Sequence, residues 1–256
     1  MAQLIGGLGT SHIPAIGNAI HKGLQNEPYW KPFFDGFPPI RQWLGEKKPD
    51  VVVMFYNDHG LNFFLDKMPT FAVGAAAQYN NADEGWGIPT LPPFPGEVDL
   101  SWHLINTLID QEFDVTTCQE MLVDHACTLP LKLFWPEGDC PVTVVPVCIN
   151  TVQFPLPSAK RCYALGKAVG QAIQSWDSTK KVAVMASGGL SHFVNDEEFD
   201  HKVMQMLGDY DYDGLAAIPD GYYQSGTSEI KLYVSVMTAM QDTGAEMTLV
   251  DYVPCW

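Results

Sequence analysis

Three of the seven histidines share a setting that the other four lack. His12, His59 and His192 each close an apolar stretch, in LIGGLGTSH, VVVMFYNDH and VAVMASGGLSH. Neutral imidazole nitrogens are good ligands for divalent transition metals, and the ordinary histidine pKa near neutrality also suits proton transfer. Glu229 is the only carboxylate in the stretch 221–240 and stands after Gly226, Thr227 and Ser228 at the start of an apolar run. Two histidines and one carboxylate leave open positions on a metal, the arrangement of non-haem Fe(II) oxygenases. The residues are far apart in sequence, so spacing alone does not assemble the site and leaves Fe(II) and Zn(II) both open. Taken singly, each residue has a plainer explanation. A loop histidine is more often structural or solvated. A glutamate in a first helical turn commonly serves only the helix dipole. Three histidines at equivalent positions favour chemistry over these plainer explanations. His125, in LVDHACTLP, has a weaker context; His21 and His201 read as surface, and His103 as a packing residue.

The elements that must carry these residues are legible as alternating runs. Segments 51–56, 142–147 and 182–186 are apolar and β-branched, with weaker runs at 4–8, 70–73 and 247–253. Continuous runs such as VVVMF predict strands buried on both faces. Helices are predicted at 100–111, 158–176 (after a Ser158 cap), 199–207 and 229–240, from apolar residues at helical spacing. Strands alternating with helices predict an α/β fold: a single domain over 1–256, layered, with a mostly buried central sheet flanked by helices. In such sheets ligands bind outside the carboxyl ends of the strands, where these three histidines fall. Segment 78–95, with its prolines and aromatics, is too long for a simple turn and reads as an ordered functional loop. Segment 209–226, rich in Asp, Tyr and Gly, leads into the last helix, and neither stretch has linker composition.

Thirty acidic residues against fourteen basic give a net charge of −16, which argues against nucleic acid as a partner. An anionic substrate would need local basic or amide groups; Arg41, Lys160 and Arg161 are the nominal candidates, though solvated surface is the commoner place for such side chains. No apolar run is long enough for a membrane span and the N-terminus lacks a secretory pattern, so a cytoplasmic protein is expected. The six cysteines form no CxxC pair and read as buried, reduced thiols.

Eight stretches together resemble the class III extradiol ring-cleavage dioxygenases, the group of the protocatechuate 4,5-dioxygenase beta subunit, gallate dioxygenase and 3-O-methylgallate dioxygenase. They are GTSHIPAIG at 9–17, PFFDGFPPIRQWL at 32–44, PDVVVMFYNDH at 49–59, ADEGWG at 82–87, VDHACTLPL at 123–131, PSAKRCYALG at 157–166, SGGLSH at 187–192 and SGTSEI at 225–230. Each is weak alone; in combination they cover almost the whole chain. The resemblance implies Fe(II) held by His12, His59 and Glu229, with His192 as the acid/base histidine and His125 as a second active-site histidine beside substrate and oxygen. Asn57 is expected to hydrogen-bond within the site and Asp58 to orient a ligand histidine. The implied reaction opens the ring of a catecholic acid with O2 next to the hydroxyl pair, in the catabolism of lignin-derived aromatics. A catechol chelates through two oxygens, which is why three protein ligands with open positions suit it.

Two departures bear on this. The run FVNDEEFD directly after His192 lacks an insertion of the protocatechuate and gallate enzymes, which favours the 3-O-methylgallate branch. Relatives also continue past VDYVPCW with a small-residue-rich tail that helps bind substrate. A small alpha-type subunit or a homo-oligomer is the implied alternative means of completing the pocket. Two competing readings remain: a Zn-dependent hydrolase on the same triad, and a non-catalytic relative that keeps the fold.

Overall fold

A computed structural model describes residues 1–85 and 92–254. In chain order the strands are β1 (Gln3–Thr10), β2 (Val51–Tyr56), β3 (Phe71–Gly74), β4 (Gln78–Asn81), β5 (Phe94–Pro95), β6 (Thr116–Cys118), β7 (Leu122–Val123), β8 (Thr143–Ile149) and β9 (Lys181–Ser187). The helices are α1 (Pro14–His21), α2 (Lys31–Asp35), α3 (Phe37–Lys47), α4 (Val98–Asp110), α5 (His125–Phe134), α6 (Ala159–Ser175), α7 (Glu197–Gly208), α8 (Tyr212–Ala217) and α9 (Ile230–Met240). The predicted order of alternating strands and helices is found, with boundaries shifted by a residue or two.

Six strands form the main sheet in the order β1-β9-β2-β8-β3-β6. β1, β9, β2 and β8 run parallel, whereas β3 is antiparallel to β8. The pleat explains why β2 is apolar at every position. Val51, Val53 and Phe55 face a layer built from α4, α6 and α9, while Val52, Met54 and Tyr56 face α1, α3 and α5. All six are buried, and burying each such side chain contributes roughly 1.5–3 kcal/mol. The fold is thus helix–sheet–helix in layers, as the sequence predicts.

The seat of α9 matters most, because Glu229 immediately precedes it. α9 lies against α6 at Gly166 and Gly170, where an added Cβ would come within 2.1 Å of Ser235 O and 2.5 Å of Ala239 O. Only glycine permits that approach. Because β1, β9, β2 and β8 are parallel, their carboxyl ends share one edge of the sheet, and the loops of interest leave from it.

Two expectations change. Segment 247–253 is not a strand: it carries no regular structure, and Met247, Leu249 and Val250 stand exposed. It is a tail tied to α7, where the Tyr252 hydroxyl donates to Asp200 Oδ2 at 2.8 Å. Segment 78–95 contributes β4 and β5 to a second, three-stranded sheet in which β4 pairs with both β5 and β7; residues 86–91 of that segment lie outside the described residues. Cys118, Cys127, Cys140, Cys148 and Cys162 are free thiols, Cys140 only half-buried, and Cys255 lies outside the described residues. Among the described residues no helix is long and apolar enough to cross a membrane.

Candidate metal centre

His12 follows β1, His59 follows β2, and His125 opens α5. One ring nitrogen from each lies within 4.8 Å of the others. The His59 and His125 rings stack at 4.3 Å, and His12 stands edge-on to both at 5.2 and 5.4 Å. His12 and His125 are buried, whereas the His59 side chain is 29% exposed and marks the open side.

Each ring is held from behind through Nδ1. His59 donates from Nδ1 to Asp124 Oδ2 at 2.9 Å and from its backbone N–H to the same oxygen at 2.8 Å. Asp124 is the N-cap of α5, its Oδ1 accepting from Ala126 N at 3.0 Å. His125 donates from Nδ1 to Glu84. His12 Nδ1 lies 2.9 Å from Ser187 Oγ, and the Ser187 hydroxyl donates its single proton to Ala126 O. Ser187 must therefore accept from His12, so His12 Nδ1 carries a proton. The segment Asp124-His125-Ala126 thus reaches all three rings. With Nδ1 engaged, Nε2 of each neutral ring presents a lone pair to the common space, the arrangement second-sphere carboxylates impose on metal-binding histidines.

Glu229 meets the cluster through His12, with Oε1 3.1 Å from His12 Nε2. Its Oε2 accepts from Gly189 N at 2.7 Å. Tyr233, one turn further along α9, donates to Gly188 O at 2.7 Å and ties the same loop to the helix. Although Glu229 sits at the N-cap position of α9, its side chain makes no capping bond. Burial pushes its carboxyl up, but His12, then His192 and the Gly189 N–H, outweigh burial and hold it at about 2. Burial likewise lowers the His59 imidazole, yet Asp124 reverses the sign and the net shift is upward. Asp124 moves down despite burial, because His59 hydrogen-bonds to it and its charge faces it.

The donor set fits a divalent cation. The Glu229 carboxylate lies 3.1 Å from His12 Nε2, a contact that a proton or a cation held between them makes favourable. His125 Nε2 is buried with no hydrogen-bond partner, as is Asn57 Oδ1. Buried polar atoms of this kind signal a missing ligand.

His192 lies at the border of the cluster. Its ring donates from Nδ1 to Leu190 O at 3.2 Å, and a Cβ on Gly189 would sit 3.2 Å from that nitrogen and 3.8 Å from Glu229 Oε2. Its backbone N–H donates to Gly226 O at 3.0 Å, so the His192 and Glu229 loops are pinned to each other. Asp200, buried on α7, accepts from Ser191 N at 2.8 Å and Ser191 Oγ at 2.7 Å and fixes the loop from below.

A sequence profile described as "Catalytic LigB subunit of aromatic ring-opening dioxygenase" matches residues 6–251. The chain belongs to this LigB family. Relatives include the gallate dioxygenase of Pseudomonas putida, 37% identical over 134 residues, which are 49% of this chain and 39% of the relative. The 2,3-dihydroxyphenylpropionate/2,3-dihydroxicinnamic acid 1,2-dioxygenase of Photorhabdus laumondii subsp. laumondii is 36% identical over 183 residues, 72% of this chain and 54% of the relative. The protein of the same name from a Mycobacterium species is 37% identical over 157 residues, 59% and 46% of the two chains. The chain spans about half the length of these relatives, or less.

LigB extradiol dioxygenases are metal-dependent, and His12, His59 and His125 form a group that could hold a metal ion. The five residues singled out in the sequence fall in this one region. The tight three-way group is His12, His59 and His125, with Glu229 attached through His12. Asn57 does bond within the site, its Nδ2 lying 3.3 Å from His59 Nε2. Asp58 does not orient a ligand: its carboxylate accepts from the backbone of Gly60, Leu61, Asn62 and Phe63 and shapes the loop after β2. Asp124 orients His59 instead, and Glu84 and Ser187 serve the other two rings. Of these, only Asp124 announces itself, as an Asp directly before an apolar helix. Arg161 lies exposed over the Phe71 and Phe113 rings, and Arg41 bonds Leu133 O, so both have structural partners.

Proposed function

We propose that the chain opens the aromatic ring of a catecholic acid with O2, next to the hydroxyl pair, at a non-haem Fe(II) held by His12, His59 and Glu229. The observation that carries the reading is the convergence of three histidines, each tied at Nδ1, with an ionised Glu229 in contact with one of them. Iron(II), when bound, supplies chelation of both catechol oxygens and redox chemistry with O2 that no side chain offers.

The chain's own residues do the rest. His12 and His59 present Nε2 lone pairs, and Asp124 and Ser187 keep those rings from turning. Glu229 supplies the anionic ligand, already ionised at neutrality. His125 Nε2, buried and unpaired, accepts the proton of a substrate hydroxyl. His192, half-buried at the border, moves protons to and from the opening ring. The buried walls of His12, Asn57 and His125 exclude bulk water. Gallate, protocatechuate, 3-O-methylgallate and 2,3-dihydroxyphenylpropionate span the catechols to be tested, and the free thiols support a reducing, cytoplasmic setting.

The test is anaerobic loading with Fe(II) followed by an oxygen electrode and a catechol panel. Oxygen uptake matched by a yellow or ultraviolet-absorbing ring-opened acid is expected. No uptake on any catechol, with iron bound, rejects the reading. A zinc-loaded sample that hydrolyses esters or amides while the iron form is inert favours the hydrolase instead.

A further inference from the structure

Both carboxylate oxygens of Glu84 are taken by one residue. Oε1 accepts from the His125 backbone N–H at 2.6 Å and Oε2 from the His125 ring at 2.5 Å. The pair is nearly sealed from water, with the Glu84 and His125 side chains 6% and 3% exposed. The far nitrogen, His125 Nε2, is buried, has no hydrogen-bond partner, and shares the cluster with His12 and His59. A carboxylate only accepts, so this contact places the ring proton on Nδ1 and the lone pair on Nε2.

We infer that Glu84 is the positioning residue for His125: it locks the tautomer whose Nε2 takes the proton of a substrate hydroxyl at the centre. The inference rests on the ring-cleaving reading above. In the step, the substrate O–H bond breaks and an N–H bond forms at Nε2. The ring becomes an imidazolium with its charge facing the Glu84 anion, the relation an aspartate has to a catalytic histidine in hydrolase triads. Glu84 belongs to segment 82–85, which is fastened by Ala82 N to Val123 O at 2.8 Å and lies outside the main sheet. His125 is therefore set from the small sheet, whereas His12 and His59 issue from the large one.

The variants Glu84→Gln and Glu84→Ala separate this from a packing role. In the Glu84→Gln variant the new amide oxygen can still serve the His125 N–H, but its NH2 then faces Nδ1 and drives the ring proton to Nε2. Long-range nitrogen–proton NMR of metal-free, ¹⁵N-histidine-labelled protein reads the tautomer directly, with His125 assigned by its loss in His125→Ala. The wild type is expected to show Nδ1–H and Glu84→Gln to show Nε2–H. In the Fe(II)-loaded enzyme, kcat is expected to fall roughly 10–100-fold in Glu84→Gln, with KM and iron content little changed. The double variant Glu84→Gln/His125→Ala is expected to lose no more than His125→Ala alone. An Nδ1–H tautomer in Glu84→Gln, iron content falling in step with kcat, or a further loss in the double variant each overturns the inference. If Glu84→Ala fails to fold, the isosteric Glu84→Gln variant carries the test. If the wild type turns over no catechol while the tautomer still inverts, the ring-cleaving reading fails and the tautomer lock stands.

Discussion

Replacing Asp124 with asparagine probes the hub of the site. Asp124 is fully buried and accepts three hydrogen bonds: two from His59 on Oδ2, at 2.8 and 2.9 Å, and one from Ala126 N on Oδ1, at 3.0 Å. Asparagine has one acceptor oxygen, so it can keep the helix cap or the His59 pair, not both. If the cap is kept, the His59 amide and ring donors face an NH2 group. A buried donor left unmade costs about 1–3 kcal/mol, and the partly exposed His59 ring recovers some of this from water, which gives roughly 2–4 kcal/mol in all. For a chain of this size that is a fall in Tm of roughly 5–12 °C. Alanine also loses the cap, adding about 1 kcal/mol. The metal response is separate: freeing the His59 ring should weaken metal affinity roughly 10–100-fold. Scanning calorimetry of metal-free protein reads the first effect, and competitive titration with a chromophoric chelator reads the second. An Asp124→Asn protein that melts with the wild type and binds metal as tightly refutes the assignment of Asp124 as the residue that sets His59.

The other predictions concern the division of labour around Glu229. Glu229→Ala should lose bound iron on elemental analysis, while His192→Ala should keep iron and lose turnover roughly 10²–10⁴-fold; equal loss of iron in both breaks that division. Glu229 is held at about 2 against an unperturbed 4.5, so its folded value is depressed. Its contribution to the stability of metal-free protein is fully present above about 4.5 and fades as pH falls toward 2, so the Tm gap between wild type and Glu229→Gln should close over that window. A gap that is flat with pH excludes it. Gly226→Ala would put a Cβ 1.9 Å from His192 O, so the two pinned loops must part. The expected cost is about 1–3 kcal/mol, with turnover lost faster than iron; unchanged melting and rate would show that the loops give freely.

How far the sequence reveals this site depends on what each residue is attached to. His12 and His59 follow strands whose unbroken apolar runs declare burial on both faces, and parallel strands of that kind share a carboxyl edge, so their meeting is legible. His192 follows an equally clear strand, yet it borders the cluster, because the turn through Gly188 and Gly189 gives the inner place to Glu229. The third ring of the tight group, His125, follows a two-residue strand too short to have a period and opens a helix interrupted by Pro130, so its pattern is faint. Glu229 reads as a helix-start residue and does occupy that place in the chain; what no local pattern contains is that its side chain ignores its own helix for Gly189 and His12. Glu84 lies at the far limit of legibility. It sits in an irregular segment with no periodicity, and its role exists only because β4 pairs with β7 and delivers residues 82–85 to the start of α5. Residues of the cluster are thus readable where they terminate regular elements. The carboxylates behind them are not, because their partners are fixed by packing between segments distant in the chain.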